Sequence, residues 1–437
     1  IAQTMTGPWR YFHTTEHIFE VGGLRGERIL ETDKSIDGIE ILAALFHDLV
    51  YVQVDHGVNF NISRYTAPFV LEDRGKLVIA KASELPDDLM FEIVTAVFGL
   101  APDEALSPFN GQNEFLSALI TAKALEPLLS PSNIAQIAAC IEATVPFRPL
   151  SPSGLSPSER LYQRLIKVNH QFKLGWDETQ TISAVKRAVR LANRDVENFA
   201  FPNSAHFLDN TWNLMPETNH ELLNSDSYTV QGYRRSLQKM EEFMNFLKPE
   251  LVFQRFMGEP DELTYSQLID QTRKNLEVAR LYLGIKLITI GILEAISYRL
   301  GRNVPLSTVM GELPRPGTNT PTLDQFLPDI PIAQPPKTAL ESEVLGLLIQ
   351  GRNQESDYDL KNSPVATYII KSIGFASVEH LLKQAKAFFS GAISATEFLG
   401  EFNPEVLDTI LNAVVQVFEK RIAVLNRLRQ DSPLSKV

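Results

Sequence analysis

The chain has 437 residues, which is long enough for two or three domains with substantial cores. Its formal net charge of −12 excludes the basic excess that nonspecific binding to DNA, RNA or an anionic membrane requires. Cys140 is the only cysteine, which excludes a disulfide within the chain and a cysteine-rich zinc finger.

The start of the chain and its apolar segments predict neither export nor a membrane span. The sequence begins with Ile1 and not with methionine, so we expect a truncated or processed product. It has neither the basic start nor the long apolar run of a signal peptide. The most apolar stretch, residues 281–296, is interrupted by Lys286 and Glu294 and predicts a buried helix. Together with the single cysteine, these features favour a reducing cytoplasm.

Helical periodicity dominates the first half of the chain. In residues 37–54, apolar side chains recur at spacings of three and four, as on one face of a helix. Similar patterns predict helices over 115–125, 133–144, 159–174 and 179–199. Proline and glycine fall between these segments, as helix ends require. Since patterns typical of strands are scarce, we expect an all-α fold.

The second half is also helical, with one interruption. Amphipathic periodicity covers residues 228–300 and returns over 341–429. Between them, eight prolines in residues 303–337 are typical of an extended linker. The chain is therefore expected to comprise four segments: a first domain (1–225), a helical extension (226–302), a Pro-rich linker (303–337) and a separate C-terminal helical module of unknown role (338–437).

Two short stretches near the start carry most of the side chains suited to metal binding or proton transfer. His13 and His17 are four residues apart and would share one face of a helix. His47 and Asp48 are neighbours in an apolar run, where a buried carboxylate needs a cation or several donors. Taken alone, a histidine on an apolar helix is more often a hydrogen-bonded core residue than a metal ligand. Imidazole with carboxylate suits Mn, Fe, Co, Ni or Zn, and Mg less well.

The residue patterns of both stretches resemble those of a known family. The first stretch, from Arg10, reads Arg-Tyr-x-His-x-x-x-His-Ile, and the second, ending at Tyr51, reads Ala-x-Phe-His-Asp-x-Val-Tyr. These patterns are similar to the HD superfamily of metal-dependent phosphohydrolases, particularly a branch of small bacterial proteins. In that branch an Asn-Glu-x-x-Ser-Ala segment and an Ile-x-x-Thr segment often follow, matched here from Asn113 and Ile141. The resemblance covers about residues 8–225 and implies an HD-domain-like helical bundle.

The resemblance also implies one divalent cation, held by two histidines and two aspartates. The expected ligands are His17, His47, Asp48 and Asp195. Asp195 is the expected fourth ligand because it lies in a helical run with apolar flanks, like the closing segment of the family. Asp209 and Asp177 are the alternatives for this position.

Roles for the remaining polar residues follow from the same resemblance. Glu114 or Glu16 would orient the attacking water or accept its proton. Arg10, His13 and Arg148 would neutralise phosphate charge. Each has a structural alternative, such as a charge at a helix N-terminus for Glu114, an ion pair or a cap for Arg10, and a backbone hydrogen bond for His13.

The chain departs from the family at positions that bear on its activity. The histidine that often follows the Ile-x-x-Thr segment is missing after Thr144, as are the further histidines of sites with two or three metals. This argues against hydrolysis of cyclic dinucleotides. Tyr51 occupies the position where some nucleotidases of the superfamily hold a catalytic glutamate.

We therefore expect a single-metal phosphohydrolase whose substrate is a small phosphorylated molecule, a nucleotide or a phosphomonoester. The alternative is a catalytically degenerate HD domain that senses a ligand or serves as a scaffold, since the linker and the C-terminal module are not needed for hydrolysis. No nucleic-acid or membrane partner is expected, and nothing in the sequence supports oligomerisation.

Other catalytic patterns are missing from the sequence. It contains no Gly-x-x-x-x-Gly-Lys phosphate loop, and its glycine-rich residues 21–26 follow no predicted strand. Cys140 lies between apolar residues of a predicted helix and is expected in the core, not as a nucleophile.

Overall fold

A computed structural model describes residues 1–23, 37–224, 227–301, 303–313 and 320–431. These residues are predominantly α-helical, which confirms the predicted all-α class. The chain divides into two compact units. Unit 1 comprises Ile1–Pro202 and Leu247–Arg273, and unit 2 comprises Asn203–Phe246 and Lys274–Val437.

Unit 1 contains ten of the described α-helices and a short hairpin. The helices are α1 (Ala2–Met5), α2 (Thr15–Val21), α3 (Gly38–Phe46), α4 (Val52–Asp55), α5 (Phe60–Ser63), α6 (Leu89–Phe98), α7 (Gln112–Leu125), α8 (Pro131–Ala143), α9 (Pro157–Phe172) and α10 (Glu178–Asp195). Strands β1 (Val70–Asp73) and β2 (Lys76–Ile79) pair antiparallel, with Val70 opposite Ile79. The four long helices α7 to α10 begin within three residues of their predicted starts.

Helix α8 is the centre of the unit 1 core. It packs against α3, α6, α7, α9 and α10, and its residues from 137 to 143 are all buried. A helix that is apolar on every side is stable only when other helices surround it. Cys140 lies in this helix with no exposed surface, and burial raises the pKa of its thiol, so the structure places it in the core as predicted.

Helix α3 is shorter than the periodicity of residues 37–54 predicts. The Asp37 carboxylate accepts hydrogen bonds from the amides of Ile39 and Glu40 and caps the start of the helix. The helix ends at Phe46, so His47 and Asp48 lie at its C-terminal boundary and not within a continuous helix. The apolar pattern continues because the following loop is also buried, which periodicity alone does not distinguish from a helix.

A ladder of ion pairs docks α10 onto α3. Arg187 pairs with Asp37 at 2.6 Å, Arg190 with Glu40 at 2.6 Å, and Arg194 with Glu40 at 2.7 Å. Glu40 is 2% exposed, so two guanidinium groups compensate its desolvation. The ladder holds the second half of α10 against the first turn of α3.

Unit 2 contains the end of a long helix and eight more of the described α-helices. Its helices are α11 (Ser204–Thr218), α12 (Val230–Phe246), α13 (Glu262–Ser297, which begins in unit 1), α14 (Leu306–Met310), α15 (Ala339–Gln350), α16 (Pro364–Ile373), α17 (Val378–Phe389), α18 (Ala395–Leu399) and α19 (Pro404–Asp431). The two charges that interrupt the apolar run of α13 are buried and paired. Lys286 donates to Asp359 at 2.7 Å, and Glu294 accepts from Arg234 at 2.9 Å.

The units do not follow the predicted four segments. The predicted extension (226–302) is divided between the two units, and the predicted linker and C-terminal module both belong to unit 2. Within the linker segment, Leu306, Val309 and Leu323 are buried. Pro305 and Pro321 directly precede short helical segments or their caps, and these segments still bury apolar side chains. In the described part of the chain, no helix combines the length and hydropathy needed to cross a bilayer.

Candidate metal centre

Four side chains of unit 1 converge at one point and can hold a metal ion. One ligand atom from each of His17, His47, Asp48 and Asp195 lies within 4.8 Å of all the others. We call this group the metal cluster. The Asp195 Oδ1 atom is 3.0 Å from His17 Nε2 and 3.1 Å from His47 Nε2. The Asp48 Oδ2 atom is 3.4 and 3.0 Å from the same two nitrogens. This is the set of residues that the sequence predicted.

Three separate elements supply the cluster. Helix α2 carries His17, the boundary after α3 carries His47 and Asp48, and α10 ends on Asp195. Both α2 and α10 pack against α3. The ligand positions therefore depend on the packing of α3 against its two neighbours.

The protonation of His47 tests whether a cation fits the cluster. Its Nδ1 atom lies 2.8 Å from the carbonyl oxygen of Ala44, which can only accept, so Nδ1 carries a hydrogen. In a neutral His47 the Nε2 lone pair then faces the carboxylate oxygens of Asp48 and Asp195. Asp48 Oδ2 is buried and receives no well-formed hydrogen bond from the described residues. A cation would satisfy all these lone pairs, and a fixed tautomer is typical of metal-binding histidines.

The charges of the cluster shift the pKa of each member. Burial alone lowers the pKa of His17, but hydrogen bonds and attraction from Asp195 and Asp48 outweigh it and raise the pKa to about 9. The pKa of His47 is raised for the same reasons, against the same effect of burial. Burial opposes ionisation of Asp48 and Asp195, yet their pKa values are lowered, with His47 the largest favourable influence. The cluster thus attracts positive charge, either as protons or as a cation.

Arg10 contacts the backbone of Asp48, a member of the metal cluster. Its guanidinium pairs with Asp55 through Nε at 3.0 Å and Nη2 at 2.5 Å, and donates to the carbonyl of Asp48 at 2.7 Å. The side chain is fully buried. The structure therefore places Arg10 as a residue that positions Asp48, since its donors face Asp55 and the backbone. The sequence prediction of a phosphate contact did not anticipate the Asp55 partner.

Helix α7 holds the loop that follows Asp48. The Ser117 hydroxyl accepts a hydrogen bond from the amide of Val50 at 3.0 Å, and the side-chain Oδ1 atom of Asn113 accepts one from the amide of Val52 at 3.1 Å. The Asn-Glu-x-x-Ser segment thus binds the backbone of the loop after Asp48, a role that the sequence alone did not predict. These contacts fix the backbone next to the ligands.

Glu114 lies on the same helix, near the cluster. Burial raises the pKa of its carboxyl to about 7; the charges of Asp48 and Asp195 add to the effect, and that of Arg148 opposes it. Its buried Oε2 atom has no hydrogen-bond partner among the described residues. Glu16, in contrast, is exposed and outside the metal cluster, where its Oε2 accepts from the hydroxyl of Thr15 at 3.3 Å.

Two aromatic side chains lie beside His17. Phe12 lies 4.8 Å from the His17 ring, between centroids, and His13 lies 6.0 Å from it. The His13 ring contacts Tyr51 edge-on at 4.5 Å. His13 is half-buried and precedes α2, so it does not share a helical face with His17 as the spacing predicted. It lies beside the metal cluster without joining it.

Three other predicted residues lie outside the metal cluster. Arg148 pairs with buried Glu142 at 2.5 Å. Asp177 caps α10 through the amide of Gln180. Asp209 belongs to unit 2, where its Oδ1 accepts from the amide of Gln354 at 3.0 Å. Neither alternative aspartate joins the metal cluster.

Compared with protein-family models, curated proteins and solved structures, the chain has no match. The resemblance to the HD superfamily therefore stays a prediction, and the chemistry of the site rests on the geometry of its own residues.

Proposed function

We propose that unit 1 is a metal-dependent phosphohydrolase that acts on a small phosphorylated compound, a nucleotide or a phosphomonoester. The observation that carries the proposal is the convergence of two imidazole nitrogens and two carboxylate oxygens at one buried, solvent-reachable point. Asp48 and Asp195 keep 19% and 16% of their side-chain surface exposed, so a ligand can approach from their side.

The donor set favours a borderline divalent cation. Imidazole nitrogen with carboxylate oxygen suits Mn, Fe, Co, Ni or Zn better than Mg, which prefers oxygen ligands. When bound, such an ion would act as a Lewis acid and lower the pKa of a water molecule bound to it. His17, His47, Asp48 and Asp195 would hold it.

Proton transfer is the proposed task of Glu114. A carboxyl with a pKa of about 7 exchanges its proton readily at neutral pH, as a general base or acid must. The free Oε2 atom would accept a proton from the attacking water. His13 and Arg148 would contact the phosphate, since one lies beside the cluster and the charge of the other reaches Glu114. Arg10 would act only by positioning Asp48.

The metal content of purified protein tests the proposal. After growth in medium supplemented with transition metals, we expect about one metal ion per chain in the wild type by elemental analysis. His47→Ala and Asp195→Asn should reduce bound metal at least about tenfold, because each removes a direct ligand. Asp177→Asn is the matched control: it lies at the start of the same helix α10, and asparagine caps helices as well as aspartate.

Phosphate release from a panel of nucleotides and phosphomonoesters follows with the same variants. We expect turnover in the wild type and in Asp177→Asn, and its loss in the two ligand variants. Wild-type protein without metal would overturn the proposal. Bound metal without turnover of any compound would favour the alternative, a ligand-sensing or scaffold protein.

A further inference from the structure

Three arginines of unit 1 surround a single buried glutamate. Glu142 is 2% exposed and lies near the end of α8. Arg148 pairs with its Oε1 atom at 2.5 Å, and Arg164 donates to the same oxygen. Arg160, one turn before Arg164 on α9, is near enough for its charge to lower the pKa of Glu142. We call Arg148, Arg160 and Arg164 the arginine cluster.

The arginine cluster carries more positive charge than the fold requires. Arg148 and Arg164 both contact Glu142 and satisfy its buried carboxylate, which is a sufficient structural role for two cations. Among the described residues, Arg160 makes no such pair, and its hydrogen bond goes to the carbonyl oxygen of Pro149 at 3.2 Å. Three guanidinium groups against one carboxylate leave a local excess of positive charge in a chain whose net charge is −12.

Most hydrogen-bond donors of the arginine cluster are unused. Each guanidinium has five N–H groups, and the three together make six hydrogen bonds to described residues. Burial, and then repulsion from Arg148 and Arg164, lowers the pKa of Arg160. An anion would relieve this repulsion and accept the remaining donors, and planar guanidinium groups match the oxygens of phosphate.

One member of the arginine cluster lies near the end of α10, the helix that carries the metal ligand Asp195. Glu114 lies close to the segment that carries Arg148, since a Cβ atom at Gly111 would be 3.6 Å from Glu114 Oε2 and 2.5 Å from Val145 Cγ2. The charges of Asp48 and Asp195 raise the pKa of Glu114, and that of Arg148 lowers it. Arg148 also lines a pocket with about 730 Å³ of empty space. Val196, the residue that follows Asp195, lines the same pocket.

We propose that Arg148, Arg160 and Arg164 form an anion subsite that binds a second phosphate group of the substrate. This rests on the proposed function and restricts it to compounds with two phosphate groups, one for the metal cluster and one for the arginine cluster. Glu142 orients two of the three guanidinium groups, and Arg160 supplies a charge that forms no ion pair with the described carboxylates.

Binding of inorganic phosphate to metal-free protein tests the subsite. By isothermal titration in chelator, we expect the wild type to bind phosphate and Arg160→Gln to bind about tenfold more weakly, as loss of one charged hydrogen-bond donor implies. Arg64→Gln is the control, because it makes the same charge change at an exposed residue whose guanidinium hydrogen-bonds Tyr65 and no other described residue. Its affinity for phosphate should equal that of the wild type.

Two further variants separate this proposal from the proposed function. Arg160→Lys keeps the charge and should retain part of the affinity, whereas a general folding defect would not follow the charge. Asp195→Asn removes a metal ligand and should leave phosphate binding unchanged. The subsite is refuted if wild-type protein does not bind phosphate, if Arg160→Gln binds it equally well, or if Asp195→Asn weakens binding as much as Arg160→Gln. Absence of metal from the wild type, with phosphate still bound, would refute only the proposed function.

Discussion

At the residue scale, the histidines of the metal cluster hold protons that a cation must displace. His17 has a folded pKa of about 9 against an ordinary value of 6.5. In metal-free protein its protonated form therefore contributes stability below pH 6.5, and this contribution is lost as the pH rises towards 9. Metal ligation needs the neutral imidazole, so binding releases the proton.

Metal affinity should consequently rise with pH. Between pH 7 and about 9, we expect at least about a tenfold gain in apparent affinity per pH unit, one factor of ten for each proton released. Competition with a chelator of known pH dependence measures this. In the same range, the melting temperature of chelated protein should fall. An affinity that is constant from pH 7 to 9 would contradict the protonated state of the cluster.

The sequence predicted the roles of some site residues correctly and those of others only in part. His17, His47 and Asp48 stand out because their residue types and spacing suit a metal, and the spacing is a local property of the chain. The resemblance implied a phosphate contact for Arg10. Its partner in the structure, Asp55, is 45 residues away, and nothing in the sequence links the two. The role of a charged side chain depends on its neighbours in space, and the sequence does not show which residues these are.

At the element scale, the position of α7, which holds the loop after Asp48, depends on the glycine that precedes the helix. Gly111 precedes α7 with a φ of +81°, a conformation that favours glycine. A Cβ atom there would lie 2.5 Å from Cγ2 of Val145. The close approach brings the start of α7, with Asn113 and Glu114, against the segment that follows α8.

Gly111→Ala should destabilise unit 1 by about 2–5 kcal/mol, as the sum of a left-handed backbone and a steric overlap. Gly75→Ala in the β1–β2 turn is the matched control. Gly75 has a similar φ of +76° but no atom within 4 Å of the added Cβ, so only about 1–2 kcal/mol is expected. Chemical denaturation measures both. Equal losses in the two variants would show that Val145 adjusts without cost.

The helices themselves were largely predictable. Apolar spacing located α7, α8, α9 and α10, and capping residues such as Ser156 and Asp177 mark two of their starts. The end of α3 was not predictable, because the loop after Phe46 is as apolar as the helix. Burial by α7 produces that pattern, and burial is a tertiary property.

At the scale of the whole molecule, the metal cluster joins distant parts of one unit. His17 and Asp195 are 178 residues apart in the chain, yet both belong to unit 1. A metal ion would cross-link α2, α10 and the boundary after α3. Unit 2 supplies no member of the cluster.

Hydrogen exchange should therefore respond to metal in unit 1 alone. At a free metal concentration 100 times Kd, local openings that break the cluster should become about 100-fold rarer. We expect slower exchange in peptides covering α2, α3 and the end of α10, with no change in α15 to α19. Mass spectrometry of exchanged peptides with and without metal measures the effect. Protection confined to unit 2 would place the metal elsewhere.

The sequence by itself determined the all-α class and three members of the metal cluster, because helical periodicity and the His-Asp pattern are local. Tertiary structure decided that Asp195, and neither Asp209 nor Asp177, completes the cluster. It also decided that the charge of Arg160 remains unpaired by any carboxylate of the described residues. Both outcomes depend on how α10, α8 and α9 pack, and packing brings together charges that lie far apart in the chain.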